Sequence, residues 1–282
     1  MIIDAHTHSF PESIAVKAIP KMEAMAKSRA YTGGTNGALL KSMEKAEIDV
    51  SVLLPVATNA RQVEKLNNIA INNNEGFTGK GLFSLGAMHP EFEAYSSELK
   101  RISRNGITGI KLHPAYQNTD LDDIRFLRII DKASELGLAV VIHAGLDIGI
   151  MPHNFSSVKH ICKVLKEVAP EKFVLAHMGS WKGWDEVEKS LCGEKVFLDT
   201  SFSLGSYEPP EGVFVPESET KMLGEEQFLR IVKKHKTDKI LFGTDSPWGE
   251  QKRTLEKIKQ LIPDEKEQAA VLCENSKRIF EI

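Results

Sequence analysis

The chain lacks any uninterrupted apolar run approaching the roughly eighteen residues needed to cross a bilayer, and its first residues lack the basic-then-apolar order of a secretory leader. No membrane partner and a cytoplasmic location are therefore expected. Cysteine is scarce. Cys162, Cys192 and Cys273 are scattered without C-x-x-C spacing, which argues against a disulfide framework or a thiolate metal site and for three small buried side chains. An excess of one charge is missing too: 36 basic residues stand against 39 acidic ones, interspersed, for a net charge of −3. No nucleic acid is expected as a partner, because nothing in that balance steers the chain toward a polyanion. A small-molecule substrate is the expected partner, and the sequence leaves open whether the chain pairs as a homodimer. Finally, there is no G-x-G-x-x-G turn, which counts against a nucleotide-binding open sheet.

What is present is a regular alternation. Short β-branched or apolar runs at 2–8, 49–55, 81–88, 107–113, 138–143, 173–177, 196–200 and 239–245 read as strands, each followed by a segment of helical character. The clearest helix follows Asp120, a candidate N-cap, with Leu121, Ile124, Leu127, Ile130 and Ala133 on one stripe and Gly137 closing it. Another helix runs from about 157 to 168, and the chain finishes with helical segments at 251–261 and 264–280. Eight β-then-α units in 282 residues, with no linker between them, predict one (β/α)8 TIM barrel spanning 1–282. A doubly wound open sheet is the alternative. The one long irregular segment, 201–224, is a candidate lid.

The histidines gather at predicted strand ends. His6 and His8 end the first strand, and alternation with period two points both rings the same way. His89 follows the third strand, Lys111 and His113 end the fourth, His143 the fifth, His177 the sixth, and Asp245 the eighth. In a barrel these ends form one mouth, where active sites of the fold sit. Each residue also has a plain structural reading. His143 and His177 fit core histidines bonded to backbone carbonyls, and Asp245 before Ser-Pro fits a helix cap, but their shared placement at the mouth favours a metal or catalytic role. His153 fits either the mouth or the surface, and His160 and His235 lie within helical segments and read as packed or solvated.

Five pieces carry a resemblance: Asp4-Ala-His6-Thr-His8, Gly109-Ile-Lys111-Leu-His113-Pro, Ile142-His143-Ala-Gly145, Leu175-Ala-His177-Met-Gly179 and Phe242-Gly-Thr-Asp245-Ser-Pro-Trp248. In this order they resemble the amidohydrolase superfamily of metal-dependent TIM-barrel enzymes, and particularly the amidohydrolase-related branch that includes aminocarboxymuconate-semialdehyde decarboxylase. The resemblance implies one divalent metal, most often Zn2+, on His6, His8, His143 and Asp245, with His177 binding or orienting water or a substrate oxygen. Two-metal members bridge their ions through a carboxylated lysine, and Lys111, His143 and His177 offer that alternative. An uncarboxylated Lys111 would instead pair with a substrate carboxylate, and His113 shares its face.

Imidazoles plus one carboxylate suit zinc, and an open position lowers the pKa of bound water to about 7. Asp245 can then carry the proton to a leaving group. The expected activity is hydrolysis of a C–N or C–O bond of a small carboxylated substrate by metal-bound hydroxide. The alternatives are non-oxidative decarboxylation of an aromatic or muconate-like acid and, from another class, a metal-holding barrel that binds without turnover. Arg61, His89, Tyr116, Gln117, Trp181 and Trp248 are candidate lining residues by position alone.

Overall fold

The computed structural model describes residues 1–205 and 207–282. All ladders between neighbouring strands are parallel. One run joins β1 (Ile3–Thr7), β2 (Val50–Leu53) and β3 (Gly81–Ser84). The other joins β4 (Gly86–Ala87), β5 (Gly109–Leu112), β6 (Ala139–Ile142), β7 (Phe173–Leu175), β8 (Phe197–Asp199) and β9 (Ile240–Leu241). Only Leu85 separates β3 from β4, and its amide still donates to Leu53 O at 3.0 Å, so the two are halves of one wall strand. At the other seam, Ala5 N donates to Phe242 O (2.8 Å), Asp245 N to His6 O (2.8 Å) and His8 N to Ser246 O (2.7 Å). These bonds join the two edges of the ladder, and helices alternate with the strands as an α/β barrel requires.

Burial follows the pleat. Ile3, Ala5, Val50, Val52, Phe83, Leu85, Ala139, Val141, Val174, Phe197 and Leu241 form one apolar cluster inside the wall, whereas Ile110, Leu112, Val140, Ile142, Leu175, Leu198 and Ile240 belong to the layer under the helices. Ile279 and Phe280 join the inner cluster from the C-terminal helix Asn275–Phe280. That helix lies at the N-terminal ends of the strands, since Arg278 donates to Asp238 O just before β9 and Glu281 pairs with Lys172 just before β7. The opposite end is left open for polar side chains.

Alternation alone would not deliver both first-strand histidines to that end. Ile3 and Ala5 point inward, so strict period two would turn His6 outward with Asp4. The pairing of β1 with β2 is irregular between Asp4 and Thr7, and this break re-aims His6 and His8 into the mouth. Asp4, left outside, accepts from Gln251 Nε2 (2.7 Å) and Thr244 Oγ1 (2.6 Å), tying the first strand to the last βα connection.

Several local expectations change. The helix after the fourth wall strand is Ile124–Glu135, and its cap is Asp123, whose carboxylate accepts from Arg125 N, rather than Asp120. Residues 120–123 form a turn instead, and Asp120 is taken by His153 at 2.7 Å. Ile124, now at the helix start, is 56% exposed. Ser157 does cap Val158–Glu167, accepting from His160 N. The closing helical stretch is broken by a wide turn at Ala270–Glu274, where Val271 O accepts from Phe242 N (3.0 Å). The cysteines are free but only partly buried. No helix among the described residues is long and apolar enough to cross a membrane.

The expected lid, 201–224, is irregular apart from a short helix, Glu217–Thr220. Ser206, which the lid expectation includes, lies outside the described residues. On either side the segment is tied down. Tyr207 Oη donates to Ala26 O (2.5 Å), Arg29 N to Glu208 O (2.8 Å) and Leu223 N to Ser203 O (3.0 Å), while Phe214 at its apex is 85% exposed.

Candidate metal centre

His6 Nε2, His8 Nε2 and Asp245 Oδ1 form a nearly equilateral triangle, with edges of 3.2 Å (His6–His8), 3.3 Å (His6–Asp245) and 3.2 Å (His8–Asp245). Zinc–ligand bonds of about 2.0–2.1 Å give a tetrahedron edge of about 3.3–3.4 Å, so the three atoms match one face of that figure. The proton positions agree. His8 Nδ1 lies 2.9 Å from Leu54 O and His6 Nδ1 lies 2.8 Å from Asp199 Oδ2, so both Nδ1 atoms donate and both Nε2 lone pairs face the triangle. Burial, reinforced by the charge of Lys111, lowers the His6 pKa to about 4, so its ring is neutral at pH 7. Burial pushes the Asp245 carboxyl up, but the adjacent His8, His6 and His177 rings hold it below the usual carboxylate range. Neutral imidazoles with an ionised carboxylate form a donor set suited to a divalent cation.

The chain backbone is shaped for this approach. Asp245 has a left-handed φ of +64°, and a Cβ built on Gly243 would sit 2.9 Å from His6 Cβ, so only glycine lets the eighth wall strand pass this close to the first. Asp245 does not act as a helix cap, because its carboxylate is turned to the histidines.

Beside the triangle lies a pair. His143 Nδ1 and His177 Nε2 are 3.0 Å apart, and the His177 ring centroid is 5.4 Å from that of His6. The outer nitrogens of the pair meet carbonyls: His143 Nε2 lies 3.2 Å from Leu146 O, and His177 Nδ1 lies 3.0 Å from Ser201 O. Donation to both carbonyls leaves two lone pairs facing each other, which a cation stabilises. Burial depresses both pKa values, which disfavours a proton in that role. His143 thus stands next to the triangle rather than within it, since the mutually close ligand atoms are those of His6, His8 and Asp245.

His177 reaches the mouth by a different route from the strand pattern. Two successive left-handed residues, His177 (φ +59°) and Met178 (φ +52°), form a turn just beyond β7, and Trp184 Nε1 holds the His177 carbonyl at 3.0 Å. Lys111 is buried, with Nζ 3.3 Å from His6 Nε2. Burial lowers its pKa to about 8 against the attraction of Asp199 and Asp245.

His113, one residue past β5, stacks on His143 (4.2 Å) and on Tyr116 (4.2 Å). With Asp147 it makes a second His–His–Asp group. Here the tautomer argues against ligation. Tyr116 N donates to His113 Nδ1 (3.3 Å), so the ring proton sits on Nε2 and faces Asp147 Oδ2 at 3.5 Å. Burial pushes Asp147 up to about 6, opposed by the Gly149 amide. This group is a polar wall of the mouth.

The lining expectations divide. Tyr116 is in the mouth through its stack on His113. Gln117 is a brace instead: Oε1 accepts from His113 N, and Nε2 donates to Ala57 O and Met88 O, leaving no free group to meet a ligand. Trp181 is buried, and its backbone bonds to Ala144 and Leu146. Gly145 makes that crossing feasible, since a Cβ there would lie 2.2 Å from Trp181 N. Trp248 faces a separate cavity of about 630 Å3 shared with Tyr31, Phe202, Leu204 and Met222, which no site histidine lines. His89 is buried and accepts from Glu91 N, Arg61 is exposed on the turn Ala60–Gln62, and His153 is 57% exposed with Asp120, away from the site. His235 is packed against Val196 O, and His160 lies 4.0 Å from Asp122.

Asp199, Ser201 and Asp147 are site residues that strand-end reasoning missed. Asp199 carried the same signal as the histidines, being an ionisable residue at the end of a predicted strand with an apolar neighbour on each side of the pleat.

A family model described as amidohydrolase matches residues 3–282. Solved structures share the fold over nearly their whole length. A TIM-barrel protein from Bordetella bronchiseptica is 16% identical with a TM-score of 0.73, covering 99% of this chain and 98% of that one. A 2,6-dihydroxybenzoate decarboxylase from Rhizobium is 13% identical with a TM-score of 0.71 over 99% and 98% of the two chains. A protein from Pseudomonas putida described as a candidate 2-pyrone-4,6-dicarboxylic acid hydrolase is 16% identical with a TM-score of 0.66 over 99% and 97%. No curated protein matches in sequence. Identities this low speak for the fold alone, whereas the family match runs through every strand end described above: the chain belongs to the amidohydrolase family.

Proposed function

We propose that this protein is a metal-dependent hydrolase that cleaves a C–N or C–O bond, as in an amide, lactone or ester, of a small carboxylated substrate. The observation that carries the reading is the triangle of His6 Nε2, His8 Nε2 and Asp245 Oδ1, whose edges of 3.2–3.3 Å fit a tetrahedral cation face. A divalent cation, most reasonably Zn2+, would supply Lewis acidity and an activated water at its open position. His6, His8 and Asp245 would hold it, with His143 turning its Nδ1 from His177 to complete the set. His177 Nε2, an acceptor because the ring proton sits on Nδ1, would then orient the attacking water by accepting from it. Asp245 takes the proton as the new C–O bond forms and delivers it to the nitrogen or oxygen that leaves. Lys111, buried and without an ion pair among the described residues, meets a substrate carboxylate.

The competing reading is non-oxidative decarboxylation on the same residues. It is favoured by the name of the Rhizobium neighbour, a 2,6-dihydroxybenzoate decarboxylase, while the Pseudomonas neighbour's description favours hydrolysis. A screen of lactones, amides and aromatic or muconate-like acids with zinc-loaded protein separates the two: acid or amine release supports hydrolysis, and carbon dioxide release overturns it. Metal analysis decides the stoichiometry. One equivalent per chain is expected, and a reproducible two would favour a carboxylated Lys111 bridging a second ion near His143 and His177. Turnover left undiminished in His177→Ala would place the chemistry elsewhere.

A further inference from the structure

The two ring nitrogens of His6 each face a carboxylate. Asp245 Oδ1 lies 3.3 Å from Nε2, and Asp199 Oδ2 lies 2.8 Å from Nδ1. A proton drawn to Nε2 would block the lone pair that faces the triangle. Lys111 Nζ, which only donates, approaches Nε2 at 3.3 Å and so also requires that atom to accept. The second oxygen of Asp199 is fully engaged. Oδ1 accepts from His177 N (3.1 Å), Ser201 N (3.0 Å) and the Ser201 hydroxyl, and the whole side chain is 1% exposed.

We propose that Asp199 is a positioning residue that fixes His6 as its Nδ1–H tautomer, and that the three donors on its other oxygen lock the carboxylate in the orientation this requires. The same oxygen anchors the turn that carries His177. The link to catalysis rests on the metal reading above, but the tautomer itself does not. His177 keeps its own proton on Nδ1 independently, because that atom is within reach of both Ser201 O (3.0 Å) and Ser201 Oγ (3.1 Å).

The substitution that separates these effects is Asp199→Asn. The three donors hold the amide oxygen where Oδ1 stands, so the amide nitrogen must face His6 Nδ1 and donate to it. The His6 proton then moves to Nε2, toward Asp245, with the fold unchanged and His177 unaffected.

Histidine 15N spectra of the metal-free protein read the tautomers directly, and chelator competition reads zinc affinity. The expected result is a His6 Nδ1–H in the natural chain and Nε2–H in the variant, His177 remaining Nδ1–H in both. Zinc affinity should fall about 10–100-fold, the usual cost of losing a carboxylate behind a ligating histidine. A His6 that carries its proton on Nε2 in the natural chain overturns the proposal, as does a variant that keeps the Nδ1–H form. If the variant fails to fold, the spectrum of the natural chain still decides. A tautomer switch with no zinc bound by either protein would support the positioning role and refute the metal reading.

Discussion

Lys111 is a costly buried charge, and replacing it should make the metal-free protein more stable. The side chain is 1% exposed, its Nζ bonds to His6 Nε2, and no ion pair with it occurs among the described residues. Burial lowers its pKa from 10.5 to about 8 despite the through-space pull of Asp199 and Asp245. The folded chain therefore holds this proton less tightly than the unfolded chain. The penalty is fully present below about 8 and fades as pH rises toward 10.5. At about 1.36 kcal/mol per pKa unit the cost at pH 7 is about 3 kcal/mol, an order-of-magnitude figure. Lys111→Met is unbranched, one atom shorter and uncharged, with repacking expected to cost under about 1.5 kcal/mol. Urea denaturation of the metal-free proteins at pH 7 and pH 10 tests this. The variant should be the more stable at pH 7, and its advantage should shrink at pH 10. An offset of the same size at both pH values, or a variant less stable at pH 7, would refute the reasoning. The retained charge then marks a site kept for its ligand rather than for stability.

Changing His8 to Ala should lower zinc content and turnover together while the far-ultraviolet circular dichroism stays that of the barrel; full metal occupancy in the variant would show that the triangle is not the cation site. Gly145→Ala forces a side chain into a φ of +92° and against the Trp181 backbone, so a loss of at least about 1–3 kcal/mol is expected in denaturant titrations, and an unchanged midpoint would contradict the crossing. Asp123→Ala should cost about 1 kcal/mol as a lost helix cap. Asp120→Ala, which breaks only an exposed pair with His153, should cost under about 1 kcal/mol, and the reverse ranking would restore Asp120 as the cap.

The eight strands and their order were legible because both faces of each are covered, which writes continuous apolar runs into the sequence. The mouth was legible for a related reason. A strand that ends in His or Asp after such a run must present that residue where the helices stop. Asp120 was misassigned because Asp at the head of an apolar stripe is a cap only if the backbone turns there, and the turn comes three residues later at Asp123. Gln117 and Trp248 were misread because position near a strand end does not say which way a side chain points. Gln117 turns in to brace three connections, and Trp248 turns to a cavity apart from the histidines.

Proton placement is the part of the site that spacing does not encode. The motif His6-Thr-His8 supplies two rings, but each ring has two nitrogens, and the one left free depends on an acceptor distant in sequence. For His8 that acceptor is Leu54 O, just past the end of the neighbouring strand, for His6 it is Asp199 five wall strands beyond that, and for His177 it is Ser201. Phase is equally remote, because the irregular pairing between Asp4 and Thr7 decides whether His6 faces the mouth or the helices. A barrel wall solves both problems at once. Closing the ladder brings β9 beside β1 with β8 next in line, so the carboxylate that orients His6 and the carboxylate that shares its triangle arrive from consecutive strands on the same side. The two must differ in distance, 2.8 Å against 3.3 Å, for the lone pair to remain free.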